Sequence, residues 1–278
     1  MILVTAATAP VGRSIVEQLV DLGREVRALT RDAAEASLPA GAEVVAGDLS
    51  DPERMRAAME GVSAVFLLAV VPGFAPAFLE ATKAAGVQRI VFQSSAAIID
   101  GMAEQPNEVA AFHREIEREI EESGLEWTFL RLEVASADAL QWAFDVPGQL
   151  ARGDVVRGPY ADAAGSPIHP ADFAAVAVAA LTDDRHAGKT YVLTGSRSLT
   201  NAEQIELIGA ALGRTLRYEE LSPEEARDAI GPYAHADLLM QTWEQHRAAP
   251  APVTDTVERV TDRPPRSPEQ WAADYPAG

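Results

Sequence analysis

Apolar positions along the chain change their period repeatedly. Short runs of aliphatic and β-branched residues give way to stretches where apolar side chains recur every three or four positions. The first run, Ile2-Leu3-Val4-Thr5, ends in the small-residue turn Ala6-Ala7-Thr8-Ala9-Pro10-Val11-Gly12. A helix is predicted directly after it, with Val11, Ile15, Val16, Leu19 and Val20 on one face and Gly23 as its stop. Further strands are predicted at 26–29, 42–46, 62–68, 89–92 and 127–130. The run 62–68 is apolar except for Ser63, as expected in a parallel sheet covered on both faces. Helices are predicted between them at 52–59, 74–85 and 108–123. This alternation implies an α/β fold with a doubly wound parallel sheet, whose ligand crevice lies at the strand C-termini where strand order reverses.

After Leu140 the rhythm changes. Gly148, Gly153, Gly158-Pro159 and Gly165 punctuate what reads as short extended pieces, before a helix at 170–182 and a strand at 191–193. Helices follow at 201–212, 223–230 and 238–246, and the tail is rich in Pro and Ala. The predicted organisation is a sheet domain over 1–147, to which 171–195 returns. Residues 148–170 and 196–278 form a smaller C-terminal substrate lobe.

Composition narrows the classes. The chain has 278 residues, no cysteine and a net charge of −19. That charge repels phosphate backbones and argues against nucleic acid as a partner. The absence of cysteine removes disulfides and thiolate catalysis and fits a cytoplasmic location. No apolar run approaches the roughly 20 residues of a membrane helix, and no signal peptide is read at the start. The histidines show no metal-site spacing, so a small molecule is the expected partner.

A strand, a tight turn and a helix N-terminus together make a dinucleotide cradle. Its usual glycine positions hold Ala6, Ala9 and Gly12. An alanine at the second of these, Ala9, is expected to be forced to positive φ at a cost of roughly 1 kcal/mol. Several further pieces appear in order: Ala46-Gly47-Asp48-Leu49, Ser94-Ser95, the run from Ser123 to Arg131, and Leu193-Thr194-Gly195. Together with the Thr5–Gly12 loop they resemble the NmrA-like family of atypical short-chain dehydrogenases/reductases. The resemblance implies a Rossmann-type fold binding NAD(P), with Thr5, Ala7, Thr8, Pro10, Val11 and Gly12 around the pyrophosphate and Asp48 and Leu49 flanking the adenine. Arg31 stands about twenty residues beyond Gly12, where the ribose is read. An arginine there favours a 2′-phosphate and hence NADPH, and Asp32 is its neighbour.

The proton relay of ordinary short-chain dehydrogenases is Tyr-x-x-x-Lys. The only lysines are Lys83 and Lys189, and none stands four places after any of the five tyrosines. On the corresponding helix the resemblance places His113, a candidate proton donor near neutral pH. Ser94 and Ser95 end the fifth strand, where a hydroxyl orients a substrate carbonyl. Beyond the sixth strand, where the family pattern continues Arg-Pro, the chain reads Arg131-Leu132-Glu133. Glu133 and Asp138 thus add two carboxyls to the expected pocket, and a carboxyl in an apolar crevice can serve as a general acid. Trp142 and Tyr160 are candidates for an aromatic substrate wall.

The leading expectation is an NADPH-dependent ketoreductase of a bulky aromatic or polyketide-like carbonyl compound. Its source would be a high-GC bacterium in which such enzymes tailor aromatic polyketides. Two rivals follow from the same residues. Glu133 and Asp138 with an eroded loop suit a cofactor-independent, acid-catalysed dehydratase or cyclase, and some relatives suggest a non-catalytic NAD(P)-sensing regulator.

Overall fold

The computed structural model describes residues 1–69, 73–133, 139–230, 236–247 and 249–275. Its first half runs β1 (Ile2–Val4), α1 (Pro10–Asp21), β2 (Val26–Thr30), β3 (Ala42–Ala46), α2 (Pro52–Ala58) and β4 (Ala64–Leu67). There follow α3 (Ala75–Ala84), β5 (Arg89–Ser95), α4 (Glu108–Glu122) and β6 (Glu126–Leu132). Next come α5 (Ala139–Ala143), α6 (Val146–Arg152), β7 (Val155–Gly158), β8 (Ala164–Gly165), α7 (Pro170–Thr182) and β9 (Lys189–Leu193). The last stretch holds β10 (Leu199–Thr200), α8 (Asn201–Ala211), β11 (Arg217–Glu220) and α9 (Pro223–Ala229). It ends with α10 (Ala236–Gln245), α11 (Thr256–Thr261) and α12 (Pro268–Ala273).

The central sheet has seven strands in the order β3-β2-β1-β4-β5-β6-β9. β1 pairs in parallel with both β2 and β4, β2 with β3, and β4 with β5. The chain leaves β1 on one side and comes back to β4 on the other. Strand order therefore reverses between β1 and β4, and their C-terminal ends flank the ligand position of such sheets. This is the doubly wound Rossmann-type architecture that the alternation implies.

The chain forms two compact units. The first comprises Met1–Arg131, Pro170–Val192 and Arg259–Asp262. Its core includes Phe66 and Phe173 in edge contact, and Phe92 edge-on to Phe129. Helix α1 buries Gly12, Ile15, Val16 and Leu19, and each fully buried aliphatic side chain contributes roughly 1.5–3 kcal/mol. The second unit comprises Leu132–His169, Leu193–Glu258 and Arg263–Gly278. Its separate core includes Leu140, Phe144, Val156, Ile205, Met240, Trp243 and Trp271.

The first crossing between units falls after Arg131, earlier than the expected 147. The reason is that 140–150 is not an extension of the sheet domain. Leu140, Phe144, Val146 and Leu150 all pack into the second core. The glycine-punctuated stretch read as extended pieces also contains helix α6, because Asp145 caps it through the Gly148 N–H at 3.1 Å and Pro147 suits a first turn. Gly195 holds a close approach within the second unit: an added Cβ would lie 2.0 Å from the Pro167 carbonyl oxygen. The tail carries two short helices, α11 and α12, the latter closed by a Ser267–Gln270 capping box.

Candidate functional site

The turn after β1 keeps a tight backbone shape although two glycines are replaced. Ala6, not Ala9, occupies the left-handed region, at φ 49°. Ala9 is extended at φ −68°, so the expected strain at that position is absent and lies three residues earlier. Gly12 is the position where no side chain fits: a Cβ there would lie 2.2 Å from the Ala6 carbonyl oxygen. The loop is braced from below, with Thr5 Oγ1 accepting from the Leu68 N–H at 2.9 Å and the Ala7 N–H donating to Leu29 at 3.2 Å. Helix α1 has no capping side chain. Ala9 N–H turns back to Ala6 and Pro10 has no N–H, so among the described residues the Val11 and Gly12 N–H groups are the donors without a partner at this helix end. Thr8 is exposed at the turn.

Two arginines stand beside this loop. Arg31, just beyond β2, is exposed. Its neighbour Asp32 is occupied locally, accepting from the Ala34 N–H at 3.1 Å and the Glu35 N–H at 3.3 Å. Arg13, in the first turns of α1, donates to the Ser37 carbonyl and ties the helix to the segment after β2. Asp48 accepts from both the Ser50 hydroxyl (2.6 Å) and its N–H (2.9 Å), and these bonds hold its carboxyl below the usual range. Leu49 is half-buried against the first core.

The two serines ending β5 point to opposite faces of the strand and do different things. Ser94 is buried and donates its only proton to Glu117 Oε1 at 2.7 Å, which removes it as a hydrogen-bond donor to a substrate carbonyl. Ser95 accepts from the Ala97 N–H at 3.2 Å, so its hydroxyl proton is still available to donate. Glu117, on α4, is fully buried at 0% exposure. Arg131 at the end of β6 grips it through Nε (2.9 Å) and Nη2 (2.7 Å), and reaches Asp100 at 2.8 and 3.1 Å with its terminal nitrogens. Hydrogen bonds to Glu117 and Asp100 raise the Arg131 pKa against the lowering effect of burial.

His113 is placed differently from its expected role. Its ring stacks on Phe92 at 6.0 Å and meets Phe112 edge-on at 5.1 Å. Nδ1 lies 2.8 Å from the Val109 carbonyl; a carbonyl only accepts, so Nδ1 carries the proton. Burial lowers the pKa, outweighing the Val109 bond and the charge of Glu117. The ring is therefore neutral near pH 7 with Nε2 an acceptor, which makes it a poor proton source.

Glu133 is half-buried just after β6. Asp138 and the side chain of Trp142 lie outside the described residues. Tyr160 is buried in the second core with the Arg247 guanidinium 4.9 Å over its ring, so it is a packing residue. Among the described residues there is no cluster suited to a metal ion and no helix long and apolar enough to cross a membrane.

Sequence reasoning missed Arg13 and Glu117. Glu117 had a legible signal: it follows His113 and Ile116 on the buried stripe of α4 with Ala110 and Ile120, where an unpaired charge is costly.

Comparisons with known proteins give a consistent placement. The profile of the NmrA-like family matches residues 1–260. The chain is 38% identical to the (4-alkanoyl-5-oxo-2,5-dihydrofuran-3-yl)methyl phosphate reductase of Streptomyces griseus, covering 99% of this chain and 98% of that one. It is 32% identical to the NAD(P)H azoreductase of Xenophilus azovorans, covering 100% and 98%. Among solved structures, the NADPH-dependent quinone oxidoreductase of Escherichia coli, complexed with NADPH, superposes with a TM-score of 0.73 at 24% identity over 98% of this chain and 99% of that one.

Proposed function

The chain belongs to the NmrA-like family, and on that footing we propose that it is an NADPH-dependent reductase of a bulky aromatic or quinone-like carbonyl compound, working without a Tyr/Lys pair. The observation that carries the reading is the loop after β1. Ala6 adopts the left-handed turn, Gly12 presses against its carbonyl, and among the described residues the Val11 and Gly12 N–H groups have no partner at this uncapped helix end. Those features fit a pyrophosphate. Arg31 is the residue for a 2′-phosphate, because Asp32 beside it is already engaged by the turn 32–35. The reductase names of the Streptomyces and Xenophilus relatives support the same reaction class.

NADPH, when bound, supplies the hydride. Ser95 is the residue with a proton to offer the carbonyl oxygen, while Ser94 is held by Glu117. His113, neutral and acceptor-only at Nε2, orders the apolar wall of Phe92 and Phe112 rather than acting as the acid.

The test is calorimetric titration with NADPH and NADH, followed by NADPH oxidation with a panel of naphthoquinones, aromatic ketones and azo dyes. Tight NADPH binding with turnover is expected. Absence of dinucleotide binding would sink the reading, and binding with no turnover on any acceptor would favour a non-catalytic sensor.

A further inference from the structure

The second unit contains a cavity of about 630 Å³, walled by residues of that unit alone. Its size is within the range of small-molecule sites, roughly 300–1,000 Å³. The end of α6, the strand β7 and the helix α9 contribute its walls. Phe144, Val155 and Leu221 give it apolar surface, and Arg152, Arg157, Asp154 and Glu225 give it charge.

Those charges are unequally occupied. Asp154 accepts from Arg214 Nε at 2.8 Å. Glu225 accepts from the Ser222 hydroxyl at 2.6 Å and N–H at 2.9 Å, bonds that hold its carboxyl below the usual range. Arg157 spends only Nε, on Glu219 at 2.8 Å, and Arg152 Nη2 stands 3.7 Å from Asp145, beyond hydrogen-bond reach. Among the described residues, the terminal nitrogens of both arginines thus keep their donors.

One side chain joins the apolar surface to an arginine. The Gln149 amide oxygen accepts from the Arg157 N–H at 2.8 Å, while Nε2 donates to the Arg157 and Phe144 carbonyls at 2.9 and 2.8 Å. These bonds close the outer edge of β7 at Arg157, since β11 pairs on its other side. The backbone that carries Phe144 and Arg157 is therefore fixed before a ligand arrives, which lowers the ordering cost of binding.

We propose that this cavity is a ligand site for a small apolar monocarboxylate. The ring or alkyl group lies against Phe144, Val155 and Leu221, and the carboxylate accepts from the terminal nitrogens of Arg157, with Arg152 adding positive charge. Asp154, Glu225 and Glu219 set the limit of one negative charge, because a dianion beside these carboxylates is repelled. The site uses none of the residues assigned to the dinucleotide or the carbonyl, so it does not depend on the reductase reading.

The probes are 2-naphthoate, its uncharged amide naphthalene-2-carboxamide, and the dianion 2-naphthyl phosphate, titrated calorimetrically into the full chain at low salt. 2-Naphthoate is expected to bind roughly tenfold tighter than the carboxamide, and tighter than the phosphate. Arg157→Gln is expected to bring the naphthoate-to-carboxamide ratio close to one at a nearly unchanged melting temperature, since the Arg157–Glu219 pair is exposed. Arg152→Gln is expected to lower the ratio by a smaller factor. Arg217→Gln removes an exposed charge of β11 outside the cavity and is expected to leave the ratio as it is.

Equal affinity for naphthoate and carboxamide, or no binding of either, would overturn the proposal. So would a ratio unchanged in both Arg157→Gln and Arg152→Gln, or an equal fall in Arg217→Gln, which would make the effect one of net charge. Tighter binding of the phosphate would overturn the assignment to a monocarboxylate. No step of the experiment uses NADPH, so its failure and the failure of the reductase reading are distinguishable.

Discussion

Ser94 gives its only hydroxyl proton to Glu117, a carboxylate with no exposed surface, across 2.7 Å. The bond joins the C-terminal end of β5 to the middle of α4, and Arg131 locks the same carboxylate to the end of β6. Of two adjacent serines, one is thus committed to the fold and the other accepts from the Ala97 N–H and keeps its hydroxyl proton.

Ser95→Ala is expected to lower kcat with juglone or naphthoquinone by ten- to a hundredfold at nearly unchanged NADPH affinity, because its hydrogen bond matters most as charge develops on the carbonyl oxygen. Ser94→Ala is expected to act chiefly on stability. Steady-state kinetics and urea unfolding of the two variants check this, and a larger kcat loss in Ser94→Ala would reverse the assignment.

Glu117→Gln and Arg131→Met each break the buried pair, leaving Arg131 only the exposed Asp100 and Glu117 only Arg114 at 3.4 Å as ion partners. Each is expected to cost about 3–5 kcal/mol. The double variant is expected to lose clearly less than the sum, since neither charge is then stranded. Additive losses in denaturant titrations would mean that the two side chains are not coupled.

The loop after β1 separates two alanines that look alike in sequence. Ala6→Gly relieves a left-handed alanine and is expected to gain up to about 1 kcal/mol. Ala9→Gly relieves nothing at φ −68° and is expected to lose about 0.5 kcal/mol through the freer unfolded chain. Gly12→Ala drives a methyl into the Ala6 carbonyl and is expected to abolish measurable NADPH binding. Thermal unfolding and calorimetry read all three.

Arg31→Ala is expected to weaken NADPH at least tenfold and to leave NADH nearly unchanged, because only the former has a 2′-phosphate to pair. An equal loss for both cofactors would remove Arg31 from the role.

The depressed pKa values of His113 and His186, caused first by burial, have a definite sign in stability. Below their ordinary value near 6.5 the unfolded chain takes up protons that the folded one refuses. Stability is therefore expected to be full above about pH 7 and to fall from about pH 6.5 downward. His113→Phe is expected to flatten part of that fall in melting curves taken across the range. An unchanged slope would show that His113 titrates normally.

The sheet was readable because its strands and helices differ so plainly in period. Ile2–Val4, the apolar run before Leu68 and helix α4 all fall where expected. Helix α6 was not readable, since Pro147 and Gly148 look like breakers until Asp145 is seen to cap them. The loop's backbone was legible in outline, but which alanine bears positive φ depends on the carbonyl facing Gly12, a packing contact that the residue types do not reveal. The different bonding of Ser94 and Ser95 was hidden because the deciding partner, Glu117, lies 23 residues further along the chain.

The contact between Gly12 and the Ala6 carbonyl has a consequence for how such chains are sorted. A pattern that counts glycines scores this loop as degenerate, yet one glycine at the crossing point allows the path that three are usually credited with. In loops of this shape the position to search for is the crossing at Gly12, where a side chain has no room, not the count of glycines.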